Sequence, residues 1–299
     1  MKTLIAIATF ALFAFTSTAQ IAELNAFNGT GFAKKLSTDS SKIGEQNFVG
    51  GSFNFYTNLG VGITAQYSLN NSWFDTTGYS REHYEVGLGF HRIGAASAKL
   101  GMDQSYNFLA EVTASYYSDT KTDAITYVGP GENHRYQRLN KTQGAIGAGK
   151  IGLYSNDNEV KFFASHILSA EMTLPISTYL ISTFDDDTLV PIMTGEEKAK
   201  FFYKAAFQEE VFSFPVSLNF AIAGDVGISL GDLNNYQFGK AMTYSGSLKI
   251  KNYLQRQDCN SVTTTLELGY ERSNHYGFIS KILFVKLDIL GLTRMLKRQ

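Results

Sequence analysis

Leu59-Gly60-Val61-Gly62-Ile63-Thr64-Ala65-Gln66-Tyr67-Ser68-Leu69 alternates apolar side chains with small or polar ones. Successive side chains of a strand point to opposite faces, so this segment has one apolar face and one small or polar face. The period returns at Tyr84/Val86/Leu88/Phe90, at Phe108/Ala110/Val112/Ala114/Tyr116, at Met242/Tyr244/Leu248/Ile250 and at Val262/Leu266/Leu268/Tyr270. Repeated alternating segments separated by polar connections are how a transmembrane β-barrel is written, lipid on one face and a lumen on the other.

Composition agrees with a chain that is almost all sheet. Proline, which removes a ladder donor, occurs 4 times in 299 residues, against 27 glycines. Aromatic residues reach 14%, nearly all Phe and Tyr, as interfacial girdles require. Acidic and basic side chains nearly balance at 27 and 26, which gives no support for a nucleic-acid partner. The single cysteine, Cys259, sits in an expected turn and has no internal disulfide partner, so it reads as a free thiol.

The first 19 residues read as a cleavable export signal. Lys2 provides the positive start, Leu4 to Phe15 the apolar run, and Ser17-Thr18-Ala19 the small-residue cleavage site before Gln20. That run is shorter than the about 20 residues a spanning helix needs. The expected organisation is therefore a signal over 1–19, one all-β domain over 20–290 and a basic C-terminal tail over 291–299. No cysteine follows the cleavage point to carry a lipid anchor.

Strands are expected at 21–28, 46–57, 59–70, 82–93, 95–103, 106–118, 142–154, 158–171, 201–212, 214–230, 238–254, 261–272 and 275–288. With an even count favoured by closure, the expectation is an antiparallel up-and-down barrel of about twelve strands, ten and fourteen being the neighbours. Tight turns are expected at Asn156–Asn158, Gly231–Asn234 and Ser273–His275, and long polar loops at Thr30–Glu45, Asn71–Arg81, Asp119–Lys141 and Ser182–Lys200. Trp73, the only tryptophan, fits an interfacial girdle or packing under a loop equally well.

In this pattern the chain resembles the outer-membrane β-barrels of Gram-negative bacteria, and its Ser-Thr-Ala-Gln signal ending looks like those of Bacteroidota. The resemblance implies a cell-outer-membrane location, contact with outer-membrane lipid and lipopolysaccharide, and insertion by the barrel-assembly machinery. It implies no cofactor. The class commonly ends on an aromatic strand residue. This chain instead runs past Phe278, Ile282 and Phe284 into the basic, helix-compatible stretch Leu290–Gln299.

The chemistry-bearing residues form no recognised catalytic set. His134 with Glu132, in an expected loop, is the candidate pair for a hydrolase at the barrel rim, but no G-x-S-x-G nucleophile accompanies it. Asp185, Asp186 and Asp187, with Glu196 and Glu197, are the candidate cation ligands, and their spacing matches no EF-hand loop. His83 and His91 lie eight residues apart, roughly 27 Å along a strand, too far to share a metal ion. Gln143–Lys150 is glycine-rich yet lacks the G-x-x-x-x-G-K-[ST] pattern of a phosphate loop.

The face opposite the apolar stripe is more informative. It gathers Glu85, His91, Glu111, Lys249, Lys251, Glu267 and Glu271 as expected lumen-facing residues. A Lys or Arg facing hydrocarbon near the midplane costs roughly 2–4 kcal/mol, so such groups turn to water or to each other. Three functions stay open on this reading. The first is a non-enzymatic barrel, either a small polar-solute channel or an envelope structural protein. The second is an outer-membrane hydrolase acting on lipid or lipopolysaccharide. The third, favoured by the mean hydropathy of −0.11 and the missing terminal aromatic, is a secreted soluble β-sandwich that binds a partner.

Overall fold

Twelve long antiparallel strands close on themselves as one barrel. The computed structural model describes residues 19–35, 43–57, 59–74, 77–99, 105–129, 132–154, 160–184, 192–193, 202–217, 220–233, 241–256, 259–275 and 278–296. In chain order the strands are β1 (Ala19–Lys35), β2 (Ile43–Thr57), β3 (Val61–Phe74), β4 (Thr77–Lys99), β5 (Ser105–Gly129), β6 (Glu132–Tyr154) and β7 (Lys161–Phe184). A two-residue β8 (Ile192–Met193) follows on the edge of β7. Then come β9 (Phe202–Ser217), β10 (Phe220–Leu233), β11 (Ala241–Arg256), β12 (Cys259–His275), β13 (Phe278–Asp288) and the helix α1 (Ile289–Leu296). Each long strand pairs with its sequence neighbour, β7 pairs with β9, and β1 pairs with β13, so no edge remains in the ring. One continuous sheet replaces the two-layer sandwich that was the alternative.

Alternation decides which side faces out. On β4, Tyr84, Val86, Leu88 and Phe90 are exposed while Gly87 between them and His91 just after them are buried. Exposed large apolar side chains recur around the ring, among them Val61, Ile63, Val112, Leu168, Met172, Val226, Leu248, Leu268 and Leu283. Such a belt around a closed sheet is the inverse of a water-soluble core. Its two borders differ chemically. The start of β1 and the end of β13 lie at one rim, the terminal rim, and Phe90, Phe108, Phe162, Phe163 and Phe214 lie on that side of the belt. Tyr67, Tyr84, Tyr116, Tyr244 and Tyr270 lie toward the far rim. There the Tyr67 and Tyr84 rings lie 4.8 Å apart, and both hydroxyls donate to Glu82. Trp73 is exposed beyond the tyrosines and covers Gly78.

Several boundaries differ from the sequence expectation. The segments 82–93 and 95–103 merge into β4, because the ladder with β5 continues through a register shift after Gly94. The long loops expected at Thr30–Glu45, Asn71–Arg81 and Asp119–Lys141 are largely strand. The β5–β6 ladder runs unbroken to Gly129↔Glu132. Alternation fades there because, past the apolar belt, neither face has to be apolar. The backbone ladder needs no such contrast, and Thr, Ile, Tyr and Val in Thr122–Val128 favour strand. Cys259 opens β12 opposite Arg256 instead of lying in a turn. Residues 1–18, which include most of the expected signal, lie outside the described residues.

At the last strand Asp288 joins three elements. Its carboxylate accepts from the Leu24 backbone N–H of β1 and from the Leu290 N–H in the first turn of α1, each at 3.1 Å. It is at once the final residue of the ladder and the N-cap of the helix.

Candidate functional site

Most ionisable side chains of the spanning region lie on the face opposite the exposed apolar belt, in two networks. The first is built on β4, β5 and β6. Asp119 receives Arg81 Nε at 2.8 Å, with Lys121 Nζ and His83 Nδ1 each at 3.8 Å. His83 Nε2 faces Glu85 at 3.6 Å. Nearer the terminal rim, Glu111 lies between His91 Nδ1 at 2.9 Å and Lys150 Nζ at 2.8 Å. Register makes this trio: His91 pairs with Glu111 across β4–β5, and Glu111 with Lys150 across β5–β6. His83 and His91 belong to separate clusters.

The second network spans β9 to β12. Asp225 accepts from Lys249 and, at 2.6 Å, from Gln208. Lys249 also lies 4.0 Å from Glu267, its register partner on β12. Lys251 donates to Glu210 at 2.6 Å, reaching across β10. Both side chains are almost fully buried, so each compensates a charge that would be costly alone. Glu271 stands opposite Ser245 and Ile282 and feels the charge of Lys204. Of the seven residues expected on this face, the structure brings His91 together with Glu111, and Lys249 together with Glu267. Glu85, Lys251 and Glu271 belong to other contacts.

The partners Asp119, Lys150, Glu210 and Asp225 were absent from the sequence expectation. Asp225 was legible, since Ile222, Val226 and Ile228 are exposed on the other face of β10. Glu210 was not. A bulge lets Phe212↔Gly224 step to Glu210↔Asp225, leaving Val211 over and reversing the parity of β9. The same irregularity in β7, between Phe162 and Ser165, holds Phe163 at φ 57°.

These ion pairs run along the wall, within one strand, between adjacent strands or between strands two apart. Inward aromatic rings also lie along it. A Cβ on Gly50 would come 2.3 Å from the Phe27 ring, and one on Gly269 would come 2.3 Å from Phe284. On Gly89 it would meet the Tyr56 hydroxyl at 2.8 Å. The missing Cβ at these three positions makes room for each ring against the wall, the Tyr56 ring reaching across β3 to β4. The bore is not uniform, however. Toward the terminal rim, Ala221, Ala223, Lys251, Thr263, Thr265 and Asp288 are at most 2% exposed.

The other candidates fall elsewhere. Glu132 and His134 lie on β6 at the far end of the β5–β6 ladder, opposite Gly129 and Tyr127, and not in an open loop. Asp185, Asp186, Asp187, Glu196 and Glu197 lie outside the described residues. Gln143–Lys150 lies wholly within β6, the wrong backbone for a phosphate loop.

Compared with known structures, the fold is similar to the translocator domain of the autotransporter NalP from Neisseria meningitidis. The TM-score is 0.54 at 8% identity, over 95% of this chain and 96% of that one. The β domain of the Bordetella autotransporter BrkA follows at a TM-score of 0.49 and 10% identity, over 90% and 99%. The outer-membrane protease OmpT from Escherichia coli aligns at 0.34 and 10%, over 90% and 95%. No protein-family model matches the sequence, and no curated protein matches it.

Proposed function

We propose that this chain is an outer-membrane channel for small polar solutes, narrowest near its terminal rim. The observation that carries the reading is the orientation of the inner wall. Its charges neutralise one another along the wall, and its aromatic rings lie against the wall in the room that glycines leave, which leaves the axis to water. Twelve strands spaced about 4.8 Å and tilted about 40° give a backbone radius of roughly 12 Å, wide enough for a bore beyond the side chains. The buried side chains near the terminal rim argue for a small conductance. Membrane residence is supported by the exposed apolar belt with its Phe and Tyr borders.

Orientation follows from the connections. Those at the terminal rim, 58–60, 100–104, 155–160, 218–219 and 257–258, are all short, whereas the far rim carries the three longest, 36–42, 185–201 and 234–240, beside the two-residue connections 75–76, 130–131 and 276–277. Short turns facing the periplasm and longer loops outside put the terminal rim in the periplasm. The test is reconstitution of the refolded protein in planar bilayers. Small, stable current steps are expected. The mixed-sign wall predicts a reversal potential near zero in a salt gradient. A protein that inserts yet carries no current would leave an envelope structural role.

A further inference from the structure

The lipid-facing surface is not uniformly convex. Across β11, β12, β13, β1 and β2 it carries a groove of about 950 Å³. Its walls are the exposed side chains Leu248, Leu268, Leu283 and Val285, and Asn28 and Thr30 lie at its polar edge. The hollow arises because Gly246 occupies an outward position between Tyr244 and Leu248. A Cβ there would meet nothing nearer than a backbone oxygen at 3.7 Å.

One outward step toward the far rim the chemistry changes. Arg272 on β12 is the direct cross-strand partner of Lys281 on β13, and both are exposed. Lys34 on β1, opposite Ile279, lies diagonally beyond Lys281. No ion pair joins any of the three to a carboxylate among the described residues. The acid of that row, Glu45, is separated from Lys281 by β1. Like charges directly opposite on neighbouring strands destabilise a sheet. Two cations side by side above an apolar hollow, at the level where headgroups begin, therefore fit an anion whose tail fills the hollow.

We propose that this face binds a phosphorylated lipid of the outer leaflet, its phosphate on Arg272 and Lys281 with Lys34 beside them, and an acyl chain in the groove. The site rests on the orientation that puts the far rim outside. It does not rest on conduction. The guanidinium of Arg272 supplies a planar donor fork for phosphate and Lys281 a point charge. The groove supplies what a free phosphate ion does not use, so the occupant is an amphiphile.

The test measures binding of purified diphosphorylated lipid A and its dephosphorylated form to the refolded protein in neutral detergent, by native mass spectrometry. Wild type is expected to retain the phosphorylated form preferentially. The double variant Arg272→Gln/Lys281→Gln is expected to weaken retention about tenfold or more. Gly246→Leu, which fills the groove and leaves the cations in place, is expected to weaken it as well, with barrel closure intact on an unboiled gel. Equal binding of the two lipid forms overturns the proposal. So does wild-type binding by either variant, or equally effective competition by inorganic phosphate alone. Orientation is read separately, by labelling Asn274→Cys in a Cys259→Ser background with a membrane-impermeant maleimide on intact cells. Labelling only after permeabilisation would place these cations in the periplasm and overturn the outer-leaflet assignment. Loss of conduction with lipid binding preserved would remove the channel reading and leave this site standing.

Discussion

Glu111 shows how one side chain ties together three strands of the inner wall. It is held between His91 and Lys150, and the register of three strands delivers all three residues to one place. Glu111→Gln keeps the shape and removes the charge. The expected loss is about 1–3 kcal/mol, read as a lower unfolding midpoint in urea with lipid or detergent. Lys150 is half exposed, so solvent screens its share. Gly269 tests the bore itself. In Gly269→Val the new side chain occupies the place of the Phe284 ring, which has to swing toward the axis. Single-channel conductance should fall, and Phe284→Ala added to the same protein should restore it. An unchanged conductance would mean that Phe284 lies outside the conducting path.

At the scale of elements, the junction of β13 with α1 is the point of greatest leverage. Asp288 accepts one hydrogen bond from β1 and one from the helix it caps. Asp288→Ala should cost about 0.5–2 kcal/mol, the usual worth of an N-cap, and should lower the temperature at which the unboiled band disappears from a gel. Asp288→Asn, which keeps an acceptor, should lose less. The regular strands were legible because their alternation is strong between the girdles, as in Leu59–Leu69 and Phe108–Tyr116. Strand ends were not, since beyond the belt the two faces see the same solvent and the pattern loses its contrast. Bulges were hidden for a different reason. The extra Val211 on β9 is a matter of pairing with β10, and nothing in Gln208–Phe212 announces it.

The whole molecule is a ring whose first and last strands meet, and its stability and permeability depend on that closure. Unboiled protein should migrate faster than boiled protein on a denaturing gel and fractionate with the outer membrane. Recovery in a detergent-free soluble fraction would contradict the exposed apolar belt. Permeability should be set near the terminal rim, where Thr265 and Asp288 are buried beside Gly291 of α1. Ending the chain at Asp288 should therefore raise conductance, and an unchanged value would put α1 outside the path.

Fold class, approximate strand number and the presence of a polar face opposite the apolar one are legible in the residues alone. Each of these is a local property: period two, scarcity of proline, and the cost of a charge in hydrocarbon. Which charges meet, the reversal of parity at Val211, and the placement of Arg272 beside Lys281 above a groove came from the closed sheet alone. Those facts depend on register between strands distant along the chain, and register is a property of the closed sheet that no single strand carries.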